Sequence, residues 1–196
     1  MSPPTEPLLF PMFLKLEGRK VLVVGAGPVA ASKLVTLQGT GARIAVVAPE
    51  VSAEMARAAA DGNVLLERRT FQPADLIGAW LVIAAATPLV NRAVAAAAAE
   101  RCLFVNAVDD PVPASAYAGG VVRRGGVTVA ISTAGKAPAL AGLLREAIDG
   151  LLPPALDSWV ANAAALRVEH KAAGVPLAAR RPLLLRALNR IYKEAR

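Results

Sequence analysis

KVLVVGAGPVAA, residues Lys20 to Ala31, reads as a strand that runs through a glycine turn into the start of a helix. Val21 to Val24 is short, continuously apolar and mostly β-branched, the pattern of a parallel strand covered on both faces. Gly25, Gly27 and Ala30 then fall at the three small-residue positions of the dinucleotide fingerprint GxGxxG/A. Gly25 permits the tight turn, Gly27 lets the backbone come close to a pyrophosphate, and Ala30 lets the helix pack near the strand. The first-turn N–H groups of such a helix lack internal partners and the dipole is positive there, so a phosphate can settle on them. Three small residues alone would be weak evidence; here the strand precedes them and the helix follows.

Outward from this stretch the chain alternates. Before it, Phe10 to Lys20 carries Gly18 as the turn into the first strand. After it, Val29 to Gln38 has helical spacing and ends at Gly39 and Gly41. Arg43 to Ala48 is a second strand, Ser52 caps a helix over Ala53 to Ala60, and Asp61-Gly62 is a turn. Val64 to Arg68, a third strand, is less apolar and belongs nearer an edge. Trp80 to Ala86 is a fourth strand, followed by Thr87 and Pro88 as cap and first helical residue of an alanine-rich helix to Glu100. Leu103 to Val105 is the fifth strand.

This spacing predicts an α/β fold, a Rossmann-type parallel sheet with helices on both faces. The alternation breaks after Asn106. Ala118 to Arg123 and Val127 to Ser132, joined at Arg124-Gly125-Gly126, read as a hairpin. Helical stretches follow at Pro138 to Ile148, Pro154 to Ala173 and Pro182 to Ala195. The expected organisation is a dinucleotide domain over residues 1–110, a small hairpin-plus-helix module over 111–152, and a helical C-terminal region over 153–196.

Composition sets limits on partners. With 55% hydrophobic residues in 196 the chain has ample material for a core, yet no uncharged apolar run approaches bilayer length, so no membrane partner is expected. MSPPTEPLLFPMF lacks a basic region before its apolar residues, unlike a secretory signal. A single cysteine, Cys102, excludes an internal disulfide and suits the reducing cytoplasm; before a strand, it reads as packing. His170, the one histidine, reads as a surface residue of the penultimate helix, and with no ligand spacing anywhere a permanent metal site is not expected. The net charge of +7 is concentrated from Arg167 onward, where eight Lys or Arg oppose Glu169 and Glu194. Such a tail is either a solvated helix face or an attractor of acidic partners. Only Tyr192 could stack on bases there, so nucleic acid is not expected.

Ligands of open α/β sheets bind beyond the carboxyl ends of the strands, and three loops there carry candidates. Pro49 and Glu50 follow the second strand, Glu50 lying 23 residues beyond Gly27 against an expected offset of about 20. An acidic residue there bonds the adenosine ribose and repels the extra phosphate of NADP, favouring NAD. Thr87 follows the fourth strand and is a candidate cofactor contact. Beyond the fifth strand, Asp109-Asp110-Pro111 allows two readings: a proton acceptor near the nicotinamide, or a cap on the turn before the proline.

Four stretches in order, FPMFLKLEGRKVLVVGAGPVAASK, GARIAVVAPE, VNAVDDP and AISTAGKAPALAGLLREAI, resemble the precorrin-2 dehydrogenases of sirohaem and cobalamin synthesis, a family that includes the N-terminal part of bacterial sirohaem synthase. The resemblance covers the chain to about Leu152. It implies NAD-dependent oxidation of precorrin-2 to sirohydrochlorin, with Asp109 in the place of the catalytic aspartate that assists proton removal. Pro28, Val29, Pro49 and Glu50 match dinucleotide-contacting positions. Some relatives also insert ferrous iron into sirohydrochlorin at the same site. The resemblance further implies a homodimer through the hairpin and helices, with the acidic tetrapyrrole held in a cleft between domains. This chain departs from the family in Ala116-Tyr117-Ala118-Gly119-Gly120, where an aromatic residue and a proline are usual, and at Ala134 and Ala137, where glycine and serine are common. No fused methyltransferase activity is expected. The rival reading is a regulatory NAD-sensing module, which shares the glycine turn and the acidic residue but needs no carboxylate beside the nicotinamide.

Overall fold

The computed structural model describes residues 8–60, 64–108 and 110–194. Five parallel strands form one sheet: β1 (Lys20–Val24), β2 (Arg43–Val47), β3 (Val64–Glu67), β4 (Ala79–Ala84) and β5 (Phe104–Ala107), in the order β3-β2-β1-β4-β5. The central strand is apolar throughout because both its faces are covered. Val21 and Val23 enter a core shared with α1 (Pro28–Gln38) and α2 (Ala53–Ala60), through Ala30, Leu34 and Met55. Leu22 and Val24 enter a second core, with Val94 and Ala98 of α3 (Pro88–Ala99). The doubly wound parallel sheet expected from the alternation is therefore present, and the direction of winding reverses between β1 and β4.

The edges of the sheet are treated differently. β3 lies at one end with Leu65 exposed, as its weaker apolar pattern indicated. At the other end the free edge of β5 is covered by irregular chain. The Val105 N–H donates to Ser115 Oγ at 2.8 Å, and the Ser115 and Ala116 N–H groups both donate to the Val105 carbonyl at 2.9 Å. Residues 111–118 thereby group with the sheet, and the edge offers no free ladder to a foreign strand.

One element has no counterpart in the alternation pattern, a 3-10 turn over Pro73–Leu76 before β4. Arg69 holds it in place with two bonds to Asp75, at 2.8 and 2.6 Å, and the Gln72 N–H donates to the same carboxylate at 2.8 Å. The Arg69 guanidinium, opposed by the cost of partial burial, holds the Asp75 carboxyl below the usual aspartate range. Lys20 Nζ donates to the Asp75 and Ile77 carbonyls at 2.8 and 3.0 Å, tying the turn to the start of β1.

The chain divides into two compact units, the first Met1–Ala118 with Ala134–Lys136 and the second Gly119–Thr133 with Ala137–Arg196. In the second, β6 (Gly120–Arg124) and β7 (Val127–Ile131) pair antiparallel with Arg124 opposite Val127. Gly125 and Gly126 have φ of +57° and +73°, the two left-handed positions that the tightest hairpin turn requires. Ala141 of α4 (Pro138–Leu151) packs so near Gly120 that an added Cβ would lie 3.0 Å from the Ala141 carbonyl oxygen. Arg124 fastens the far end of α4, donating to the Leu152 carbonyl at 3.2 Å and pairing with Asp149 at 2.8 Å.

α5 (Leu156–Ala172) carries a half-buried His170, and α6 (Leu177–Glu194) begins five residues before Pro182, the expected start. The first-turn preference of proline misplaced that start: Pro182 sits inside the helix, and the good helix formers Leu177 to Arg181 extend it backwards. Among the described residues no helix is long and apolar enough to cross a membrane. The Asp61-Gly62 turn lies outside the described residues.

Candidate functional site

The reversal between β1 and β4 opens a crevice at their carboxyl ends, the place where doubly wound sheets take ligands. Gly25 stands at its floor. Its φ is +109°, its N–H donates to the Val47 carbonyl at 3.0 Å, and an added Cβ would collide with the Ala85 carbonyl oxygen, with the Ala86 nitrogen only 2.9 Å away. Both the backbone angle and the space demand glycine.

Gly27 is a glycine for another reason. It caps α1 in an extended conformation, and an added Cβ would meet nothing within 4 Å. Among the described residues no packing requires a glycine there, and the space above it is open. Pro28 supplies no N–H, Ala31 bonds back to the Gly27 carbonyl at 3.0 Å, and the Val29 and Ala30 N–H groups have no partner among the described residues. The first turn carries no acidic residue to offset its positive end. Ala30, the third small residue, is fully buried against the strand. A half-buried glycine with open space above it, uncapped N–H groups and a positive dipole fit a pyrophosphate.

The loop after β2 is clamped to this turn: the Ser52 N–H donates to the Ala26 carbonyl at 3.0 Å. The Ser52 hydroxyl also accepts the Met55 N–H at 3.1 Å, so one residue both caps α2 as expected and anchors the loop. Between the buried Ala48 and this anchor, Pro49 and Glu50 are exposed.

At the end of β4 the expected cap differs. Thr87 stands at the N-cap of α3 but its side chain makes no capping bond. The loop is instead closed by Asn91, 3% exposed, whose Oδ1 accepts the Ala86 N–H at 2.9 Å. Thr87 is left exposed at the rim. Sequence reasoning missed Asn91; the available signal was a lone amide on the buried side of an alanine-rich helix.

Beyond β5, Asp109 lies outside the described residues. Further along the chain, Pro111, Tyr117 and Gly135 are tied to one another within the first unit. The Tyr117 hydroxyl donates to the Pro111 carbonyl at 3.2 Å, and Gly135, with φ +76°, sits tightly between Pro111 Cβ and the Tyr117 ring, each 3.3 Å from an added Cβ. The departure from the family pattern at Tyr117 thus supplies a ring that holds the loop after Asp110. Asn106 is 8% exposed; its Nδ2 donates to the Ala116 carbonyl at 3.0 Å while its Oδ1 is buried with no partner among the described residues. An unmet buried acceptor costs about 1–3 kcal/mol.

Among the described residues no three His, Cys, Asp or Glu side chains converge as metal ligands. Cys102 is exposed, not packed as the sequence suggested, with φ +55°. The Leu103 and Cys102 N–H groups bond the Ala98 and Ala99 carbonyls at 3.0 Å, the pair of bonds that ends a helix on a left-handed residue.

Comparison with known proteins agrees with this geometry. The family described as "Putative NAD(P)-binding" matches residues 12–120, and that described as "Sirohaem biosynthesis protein central" matches 124–151. Siroheme synthase 3 of Aeromonas hydrophila is 41% identical over 172 residues, 87% of this chain and 37% of that protein. The siroheme synthase of Photorhabdus laumondii is 40% identical over 180 residues, 91% of this chain and 38% of that one. This chain thus spans less than two fifths of the length of these curated relatives. Among solved structures, the precorrin-2 dehydrogenase SirC is similar with a TM-score of 0.71 and 26% identity, over 91% of this chain and 88% of that one.

Proposed function

The chain belongs to the NAD(P)-binding family that carries the sirohaem central segment, and from that premise we propose that it is a precorrin-2 dehydrogenase, oxidising precorrin-2 to sirohydrochlorin with NAD as the hydride acceptor. The observation that carries the reading is the bare Gly27 beneath an uncapped helix start, in a chain similar over nine tenths of its length to a precorrin-2 dehydrogenase. That similarity favours an enzyme over an NAD-sensing module.

When bound, the nicotinamide ring supplies the acceptor for the hydride that leaves the substrate. The chain's own residues bind and orient. The Val29 and Ala30 N–H groups, with the end of the helix dipole behind them, receive the pyrophosphate. Pro28, Pro49 and Thr87, exposed on the three loops around the crevice, line the dinucleotide. Glu50 accepts the adenosine ribose hydroxyls and repels a 2′-phosphate, which selects NAD over NADP. Asp109 takes the proton that leaves precorrin-2 as the new double bond forms, so that one hydride and one proton depart together. The net positive charge of the chain suits a substrate rich in carboxylates.

The second unit supports pairing of two copies. On α4, Ala141 is buried while Leu140, Leu143 and Leu144 stay exposed, an apolar face of the kind that subunits cover. A single thiol, exposed at Cys102, suits the reducing cytoplasm.

Anaerobic incubation with enzymatically generated precorrin-2 and NAD tests the function, with NADH and sirohydrochlorin followed by absorbance. Both should accumulate together; NAD binding without turnover would restore the sensing reading. Ferrous iron added to the product, against the spontaneous background, tests metal insertion by the same chain.

A further inference from the structure

Among the described residues two polar side chains are buried, and they differ in one respect. Asn91 Oδ1 accepts the Ala86 N–H, whereas Asn106 Oδ1 accepts from none of the described residues. Reversing the Asn106 amide gives no relief, because it would set the oxygen against the Ala116 carbonyl, which now receives Nδ2 at 3.0 Å. The side chain is therefore held by one end with a bare acceptor at the other.

Its place in the sheet says what could meet that acceptor. Asn106 pairs with Ile83 of β4, one residue from the end of β5. Val105 faces the α3 core, so by strand alternation Asn106 is on the opposite face, that of Ile83 and α1. α1 is the helix whose bare start fits the pyrophosphate. A dinucleotide laid across the crevice from that start, with its adenosine over β2, extends its other half over β4 and β5. The donor carried by that half is the amide NH2 of the nicotinamide.

We propose that Asn106 is a cofactor-specificity residue, its Oδ1 accepting the carboxamide NH2 of bound nicotinamide while its Nδ2 holds the 115–116 segment against β5. This rests on the dinucleotide reading above. The oxygen is closed to solvent, so an arriving donor must displace its cover. A nicotinamide-bearing ligand gains a contact there that ADP-ribose cannot make.

Calorimetric titration of the full chain with three ligands tests this. These are NAD, ADP-ribose, and 3-acetylpyridine adenine dinucleotide, whose acetyl group replaces the amide and has no N–H. The unaltered chain should bind NAD about tenfold more tightly than the acetylpyridine analogue, about 1.4 kcal/mol. In Asn106→Leu that preference should vanish while ADP-ribose affinity stays within about twofold. Equal binding of NAD and the analogue by the unaltered chain would overturn the inference, and this comparison stands even if the variant does not fold. A variant that keeps the preference, or that loses ADP-ribose in equal measure, would reduce Asn106 to a structural tie. If the unaltered chain bound neither NAD nor ADP-ribose, the dinucleotide reading would itself fall, and the inference with it.

Discussion

Gly25 lies so close to the carbonyl of Ala85 that a side chain on one would occupy the space of the other: an added Cβ would sit 2.6 Å from the Ala85 carbonyl carbon. The contact locks the end of β1 to the end of β4, where the crevice opens. Gly25→Ala must push the two strands apart and also hold an unfavourable φ of +109°. We expect a loss of about 3 kcal/mol or more, read as a drop in the urea midpoint with unchanged slope.

Gly27→Ala separates folding from binding. The added methyl meets nothing within 4 Å, so stability should fall by no more than about 1 kcal/mol, the usual difference between these residues at an N-cap. The methyl projects where the pyrophosphate would lie, and NAD affinity should fall at least tenfold by titration. An unchanged affinity would remove the phosphate from the start of α1.

Glu50 is exposed between the end of β2 and the Ser52 anchor, where a neutral side chain costs the fold nothing. Glu50→Gln should raise the affinity for NADP relative to NAD by about tenfold, through the loss of one like-charge contact with the 2′-phosphate. A ratio that does not move would place the ribose elsewhere.

Asp75 makes an acid-range prediction whose sign is fixed by its partner. Its carboxyl is held below the ordinary value of 3.8 by Arg69, so the folded state binds that proton less readily than the unfolded one. The contribution to stability is complete above that ordinary value and is lost as pH falls from there through the lowered one. Asp75→Asn should cost about 1–2 kcal/mol at pH 7 and flatten the acid limb of a melting-temperature profile below pH 4. An acid limb of unchanged steepness would assign it to other carboxylates.

The doubly wound sheet was legible because the inner strands repeat one local signal, an apolar run closed by turn residues, and because Gly25 is required by its own backbone angle. Features that depend on distant partners were not legible. The turn at Pro73–Leu76 exists because Arg69 reaches Asp75, and the edge of β5 is closed by Ser115, ten residues further on. Cys102 looked like packing because it precedes a strand, yet four residues are all that join α3 to β5, and turning there forces it outward into a left-handed conformation. At the crevice, Thr87 had the right residue type for a cap, but Asn91 one turn on reaches the loop from within the core. Asn106 could be named as a residue after the fifth strand; its unmet oxygen is visible only once Ala116 is seen to hold the other end.

Asp109→Asn distinguishes catalysis from binding. The variant keeps the size of the side chain and removes a base, so NAD should bind as before and stability should change little. Proton removal from precorrin-2 then loses its acceptor, and the rate should fall by a factor of about 10² to 10⁴, the usual contribution of a positioned base. Single-turnover measurement at saturating NAD isolates that step from product release. Asp110→Asn is the control, since the neighbouring half-buried carboxylate precedes Pro111 and suits the turn. If Asp110→Asn were the slower of the two, the proton would leave through Asp110. If neither slowed, the oxidation would proceed by hydride loss with the proton released to water, and the tetrapyrrole would owe its reactivity to its placement against the nicotinamide alone.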